Sequence, residues 1–205
     1  MEQRATFIGN IPFTIEQERV LREMRVSKIS ALDQLPEKPL AEAIRKAMDR
    51  AYTLIHGQGV FLTLPLDDDS LPDDLFTGEA MEKLLDGCQK ATLLAVTIGP
   101  ELETEVEKLD KAGEMTEAYA LEMVGGLMAD YMADRLDERI ERQIKRDGFE
   151  RTMRFSPGYG DWPLDRQPLL MGLVQGERIG ISVTESSIMI PRKSVSAVIG
   201  WKVKG

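Results

Sequence analysis

The residues best equipped for chemistry in this chain lie between positions 154 and 163, in the run Arg154-Phe-Ser-Pro-Gly-Tyr-Gly-Asp-Trp-Pro163. A guanidinium, a phenol, a carboxylate and an indole are set there among prolines and glycines. Pro157 and Pro163 lack an amide donor, and each disfavours a helical residue before it, so the run is neither helix nor regular strand. Gly158 and Gly160 admit positive φ and allow another molecule to approach the backbone closely. A stiff loop with this many recognition groups reads as a binding surface rather than a linker. Two more segments follow it: Val183-Thr-Glu-Ser186, and Met189-Ile-Pro-Arg-Lys-Ser-Val-Ser196.

Common catalytic chemistries find no support elsewhere. The single histidine, His56, cannot build a zinc site with the single cysteine, Cys88, and there is no HExxH motif or paired CxxC. His56, just before Gly57, reads as a structural or surface residue, and Cys88 as a small packing residue rather than a nucleophile. No GxGxxG follows a strand and no GxxxxGK[ST] occurs, which argues against a Rossmann or P-loop nucleotide site. The acidic stretch at 67–74 lacks the spacing of a twelve-residue calcium loop.

Composition narrows the class further. At 205 residues, with 42% hydrophobic and 30% charged residues, the chain fits one substantial core. A net charge of -9 argues against nucleic acid or an anionic membrane as the main partner, since both require basic patches. No apolar run approaches the roughly 20 residues of a membrane span. The N-terminus lacks a basic-then-apolar signal pattern, and one cysteine suits a reducing compartment, so a cytoplasmic location is expected.

The elements that must position the loop come from periodicity. Apolar residues at 43, 44, 47, 51 and 54 predict a helix over 40–55, and shorter helices are expected over 15–24 and 79–86. Residues 60–64 are β-prone, and the nearly continuous apolar run at 91–98 suits a buried strand. Pro100 then sits well at a helix start. The longest helix is expected over 116–145, with Val124, Leu127, Met128, Tyr131, Met132, Leu136, Ile140 and Ile144 as its core stripe. Gly125 and Gly126 inside it serve either close helix packing or room for a ligand or the loop. Residues 164–174 read as a helix, and 179–184, 187–190 and 194–203 as strands. The expectation is one α+β domain spanning 1–205, with a helical N-terminal part, a mostly antiparallel sheet and the motifs within 115–203.

These residues resemble a known family. Arg154-Phe-Ser-Pro-Gly-Tyr159 is similar to the Arg-x-x-Pro-Gly-Tyr loop of the activation domain of cobalamin-dependent methionine synthase. Val183-Thr-Glu-Ser186 resembles that domain's Leu-Thr-Glu-Ser. The segment 189–196 resembles its Met-x-Pro-x-x-Ser-Val-Ser, and 128–140 a family helix ending in Leu-x-Glu-Arg-Val. The four ordered blocks cover roughly residues 120–200 and look most like free-standing, single-domain members.

The resemblance implies an α+β fold that binds S-adenosylmethionine and supports reductive reactivation of cobalamin. One electron and a methyl group from S-adenosylmethionine restore methylcobalamin from cob(II)alamin. It implies that Arg154, Phe155, Ser156, Gly158 and Tyr159 line the site, and that Asp130 stands where the family helix carries a ligand-contacting glutamate. Arg154 suits the ligand's carboxylate through two N–H bonds. Asp130 or Asp161 suits its ammonium or diol, and Tyr159 and Trp162 its sulfonium, at about 0.5–2 kcal/mol. For Thr184, Glu185, Ser186 and Lys193 a role in propping the loop is expected.

Methyl transfer requires positioning, with no acid or base from the protein. The chain lacks the family's Asp-x-His-x-x-Gly segment, so the corrinoid is expected on a partner methionine synthase chain, with a flavodoxin- or ferredoxin-type electron donor. The chain would then be an accessory component of that methyltransferase. The shorter acid at 130 leaves open a second reading: a docking or scaffold protein for a corrinoid methyltransferase that does not use S-adenosylmethionine.

Overall fold

The apolar run at 91–98 forms the centre of the molecule because its side chains are buried on both faces of one sheet. A computed structural model describes residues 4–23, 31–68 and 71–204. In it the run belongs to β3 (Cys88–Thr97), flanked by β2 (Gln58–Pro65) and β7 (Ser194–Val203). With β1 (Thr6–Ile8) and β4 (Phe149–Arg151) at the edges, the order is β1-β2-β3-β7-β4, antiparallel throughout.

Registers Phe61↔Leu94 and Leu94↔Ala197 place one set of side chains together, and Leu62↔Leu93 and Leu93↔Val198 place the alternate set. Leu94, Val96, Ala197, Ile199 and Trp201 belong to one buried cluster, and Leu62, Leu93, Ala95 and Val198 to another. Strands covered on both faces read as continuous hydrophobic sequence rather than as alternation.

Helices cover the first face: α1 (Gln17–Glu23), α2 (Lys38–Leu54), α4 (Glu101–Ala112) and α5 (Met115–Arg146). The expected stripe of α5 is buried, except that Tyr131 is half-buried beneath Arg19, whose guanidinium carbon stands 5.0 Å from its ring centre. The helix over 101–112 starts behind Pro100, which is its N-cap rather than its first residue. It stops at Gly113, a left-handed residue (φ 79°) whose N–H reaches the carbonyls of Asp110 and Leu109.

The second face is covered differently, by α3 (Glu79–Leu85), α6 (Gln167–Val174), the 154–163 loop and a hairpin of β5 (Ser182–Val183) and β6 (Met189–Ile190). The helix expected over 164–174 divides into a 3-10 turn at Leu164–Arg166 and then α6. Pro168 in the first turn of α6 has no N–H for the carbonyl of Leu164, so one α-helical ladder cannot run through. The strand expected over 179–184 shortens to Ser182–Val183, because Gly176–Ile179 is a 3-10 turn closed by Gly180 at φ 75°.

Candidate functional site

The long helix brings three carboxylates to one side. Asp130, Asp134 and Asp137 are spaced four and three apart, hence share a helix face. The chain returning along β7 runs past that face. Asp137 accepts from Arg151 Nη2 at 2.8 Å, while Asp134 lies 3.3 Å from Arg154 Nη1 and accepts from Arg19 Nη2 at 3.0 Å. These pairs fix the strand that leads into the loop.

Beyond Arg154 the chain makes its last sheet contact. Phe155 N–H donates to Val198 O at 3.0 Å, and Val198 N–H to Phe155 O at 2.8 Å. Pro157 ends the pairing. The chain then folds on itself: Tyr159 N–H donates to Ser156 O, Trp162 N–H to Tyr159 O, and Gly158 N–H to Trp162 O at 2.8 Å. Gly158 is held at φ 90°, which L side chains rarely adopt, so glycine is required for this closure.

Where the loop leaves β7, a cleft of about 470 Å³ opens, within the usual range for small-molecule sites. Asp130 comes from α5, and Arg154, Phe155, Ser156 and Tyr159 from the loop, with Ile188 from the hairpin turn and Ser194–Ser196 from the start of β7. Five of the six expected site residues therefore meet at one cavity. The sixth, Gly158, shapes the wall between Pro157 and Tyr159 without lining the cavity. Tyr159 is 66% exposed and tilted against Phe155 at 6.4 Å. Asp130 is exposed on the helix side.

Two expected ligand groups are committed elsewhere. Trp162 is 1% exposed, stacks on Phe155 at 6.1 Å and donates Nε1–H to Leu75 O at 2.8 Å, so its face is not open to a sulfonium. Asp161 accepts from the N–H groups of Glu79 (2.7 Å) and Ala80 (3.0 Å) at the start of α3. The N–H of Ala80 first, then that of Glu79, holds its carboxyl below the usual range. Both residues anchor the loop from behind.

Thr184, Ser186 and Lys193 bond within the β5–β6 hairpin and to α4 and α5 rather than to the 154–163 loop. Thr184 Oγ1 accepts from Ile188 N–H at 3.1 Å and bonds Ser186 Oγ at 3.0 Å, which closes the β5–β6 turn around Ser187 at φ 63°. Lys193 donates its backbone N–H to Glu103 at 2.6 Å and Nζ to Glu122 at 2.7 Å, tying the start of β7 to α4 and α5. Of the two helix glycines, Gly125 answers to the close-packing reading. A Cβ at Gly125 would lie 2.5 Å from Leu102 Cδ2, so α4 packs directly on it; one at Gly126 would meet only Lys193 Nζ, at 3.7 Å.

Gln167, Arg192 and Ser196 also line the cleft; the last two lie in the 189–196 motif, and none of the three is among the expected site residues. Gln167 left a signal in the sequence: with Leu170, Met171 and Val174 it occupies the i, i+3, i+4, i+7 positions that α6 buries. A carboxamide at a core position is the unusual feature. Cys88 is half-buried, and burial pushes its thiol up, as for an inert packing residue. His56 is exposed. Among the described residues no cluster of His, Cys, Asp or Glu has a metal-binding arrangement, and no helix is long and apolar enough to cross a membrane.

An antiparallel sheet backed by a long helix, with a cleft at the edge where a Pro/Gly loop leaves it, defines an α+β domain of mixed helices and antiparallel sheet. The particular family follows from comparison. Residues 85–204 match the family described as "Vitamin B12 dependent methionine synthase, activation domain", and the chain belongs to that family. The fold is similar to that of a crystal structure of the MetH reactivation domain bound to AdoHcy. That likeness has a TM-score of 0.69 at 13% identity and covers 100% of this chain and 80% of the other. No curated protein matches by sequence.

Proposed function

We propose that the chain binds S-adenosylmethionine in the cleft at the edge of β7 and presents its methyl group to a cobalamin-dependent methionine synthase, supporting reductive reactivation. The observation that carries this reading is the convergence of Asp130 with Arg154, Phe155, Ser156 and Tyr159 on one cavity. Arg154 is the cation for the α-carboxylate: its side chain is mostly buried, and Nη1 has an ion pair but no aligned hydrogen bond. Asp130, contributed by α5, suits the ammonium. Tyr159 is the one exposed aromatic group of the loop and suits the sulfonium now that Trp162 is excluded.

When bound, the reduced corrinoid supplies the nucleophile, and sulfur leaves with the C–S electron pair as S-adenosylhomocysteine. The residues here hold the methyl donor in place; none needs to move a proton. The corrinoid comes from outside these 205 residues, which lack an Asp-x-His-x-x-Gly segment, and the electron from a flavodoxin- or ferredoxin-type donor. A docking role for the cleft mouth is supported by its rim, where Met153, Tyr159, Leu164 and Ile188 expose apolar surface around the opening.

Calorimetric titration with S-adenosylmethionine tests the reading. Saturable heat and a raised melting temperature are expected; no heat and no shift at millimolar ligand overturn it.

A further inference from the structure

Gln167 is 2% exposed, yet its side chain is only half satisfied. Its Oε1 accepts from Ser196 Oγ at 2.9 Å, a bond buried at both ends, since Ser196 is also 2% exposed. Nε2 is buried and has no hydrogen-bond partner among the described residues. Both residues line the cleft. Leaving a buried amide N–H unpaired is costly, and an apolar residue of similar length would avoid the cost. The stripe of α6 otherwise places Leu170, Met171 and Val174 in the core, so packing alone calls for an apolar residue at 167.

We infer that Gln167 is a ligand-reading residue: Ser196 fixes its amide so that Nε2 donates to a neutral acceptor on the nucleoside half of the bound molecule, a ribose oxygen or a ring nitrogen. The inference rests on the proposed binding of S-adenosylmethionine. The assignment to the nucleoside half follows from charge. A carboxylate bonds more strongly to a guanidinium than to an amide, so Arg154 takes the anionic end and the neutral donor is left for a neutral acceptor. The requirement is for a donor at this position. A carboxylate there would set acceptor against acceptor.

The test uses the full chain, with S-adenosylhomocysteine and adenosine as probes and calorimetry and thermal melting as readouts. The double variant Gln167→Met/Ser196→Ala removes both buried polar partners. It is expected to melt at the same temperature as the wild type or higher, and to bind both probes about tenfold more weakly. Gln167→Glu is expected to lose at least as much affinity for both. A double variant that binds S-adenosylhomocysteine like the wild type, above all one that melts lower, makes the pair structural and overturns the inference. Loss for S-adenosylhomocysteine with adenosine binding unchanged places Gln167 at the amino-acid end and also overturns it. Wild-type protein that binds neither probe overturns the proposed function itself, a result distinct from wild-type binding that the variants leave untouched.

Discussion

The two faces of the sheet are built by different means. The face under α2, α4 and α5 is closed by long periodic helices, and Leu102 packs there directly on the backbone of Gly125. The face under α6 and α3 is closed by short elements and a loop, held by single contacts from side chain to backbone: Trp162 to Leu75, Asp161 to Glu79 and Ala80. The cleft lies where the loop leaves the sheet, with Asp130 contributed from the helical side. The helical face thus contributes one carboxylate, and the loop face most of the other polar groups. A ligand site built on a loop keeps its geometry only if that loop is pinned at several points.

The comparison breaks hardest at Trp162. Trp162→Ala removes a fully buried indole and its hydrogen bond, and is expected to cost about 3–5 kcal/mol in denaturant unfolding. It should also abolish ligand binding, because the 154–163 loop loses its anchor. Ligand binding retained at full strength would show that the loop is positioned by its prolines alone.

Next comes Arg154→Ala. It should weaken S-adenosylmethionine binding by about 1.5–3 kcal/mol, the range for hydrogen bonds to charged groups, with a much smaller effect on melting. Calorimetry alongside thermal melting separates the two. An equal loss in both would assign Arg154 to the scaffold through Asp134.

On the helical face, Gly125→Val is expected to destabilise by about 1–3 kcal/mol through overpacking against Leu102, and Leu102→Ala should partly restore it. Ligand affinity in the folded fraction should stay unchanged. If affinity falls with stability, the helical face sets the cleft geometry as much as the loop does.

The smallest effect concerns Asp161. Its folded carboxyl titrates below the unfolded value, so its contribution to stability is complete above the unfolded carboxylate range and fades as pH falls through the folded value. Between pH 7 and about pH 5 this residue should add no slope to stability; the loss should begin below about pH 4. Asp161→Asn should flatten that acid limb in pH-dependent melting and lower the melting temperature slightly at neutral pH.

The two faces also differ in how legible they are from sequence. Helical periodicity places the α5 stripe and its length within a residue at each end, because one element buries one face over many turns. The 91–98 run reads as a buried strand for the same reason. The short edge strands β1 and β4 do not stand out, since three residues carry too little pattern to be told from loop. In the loop, the positions of proline and glycine mark a turn but not the direction of each side chain. Trp162 and Tyr159 are equivalent aromatic groups in the sequence, yet one is core and the other surface. Asp161 and Asp130 are equivalent carboxylates, yet one is spent on two backbone amides.

The sequence by itself determined the family, the mixed helical and antiparallel class, and the loop that supplies much of the cleft, because motif spacing and burial periodicity are local properties of the chain. Only the tertiary structure decided which of the recognition groups point into the cleft and which anchor its wall. It also exposed Gln167, whose role depends on Ser196, 29 positions away. The physical reason is that hydrogen-bond partners across a fold are set by how β7, α5 and the loop pack together, and no local pattern encodes that distance.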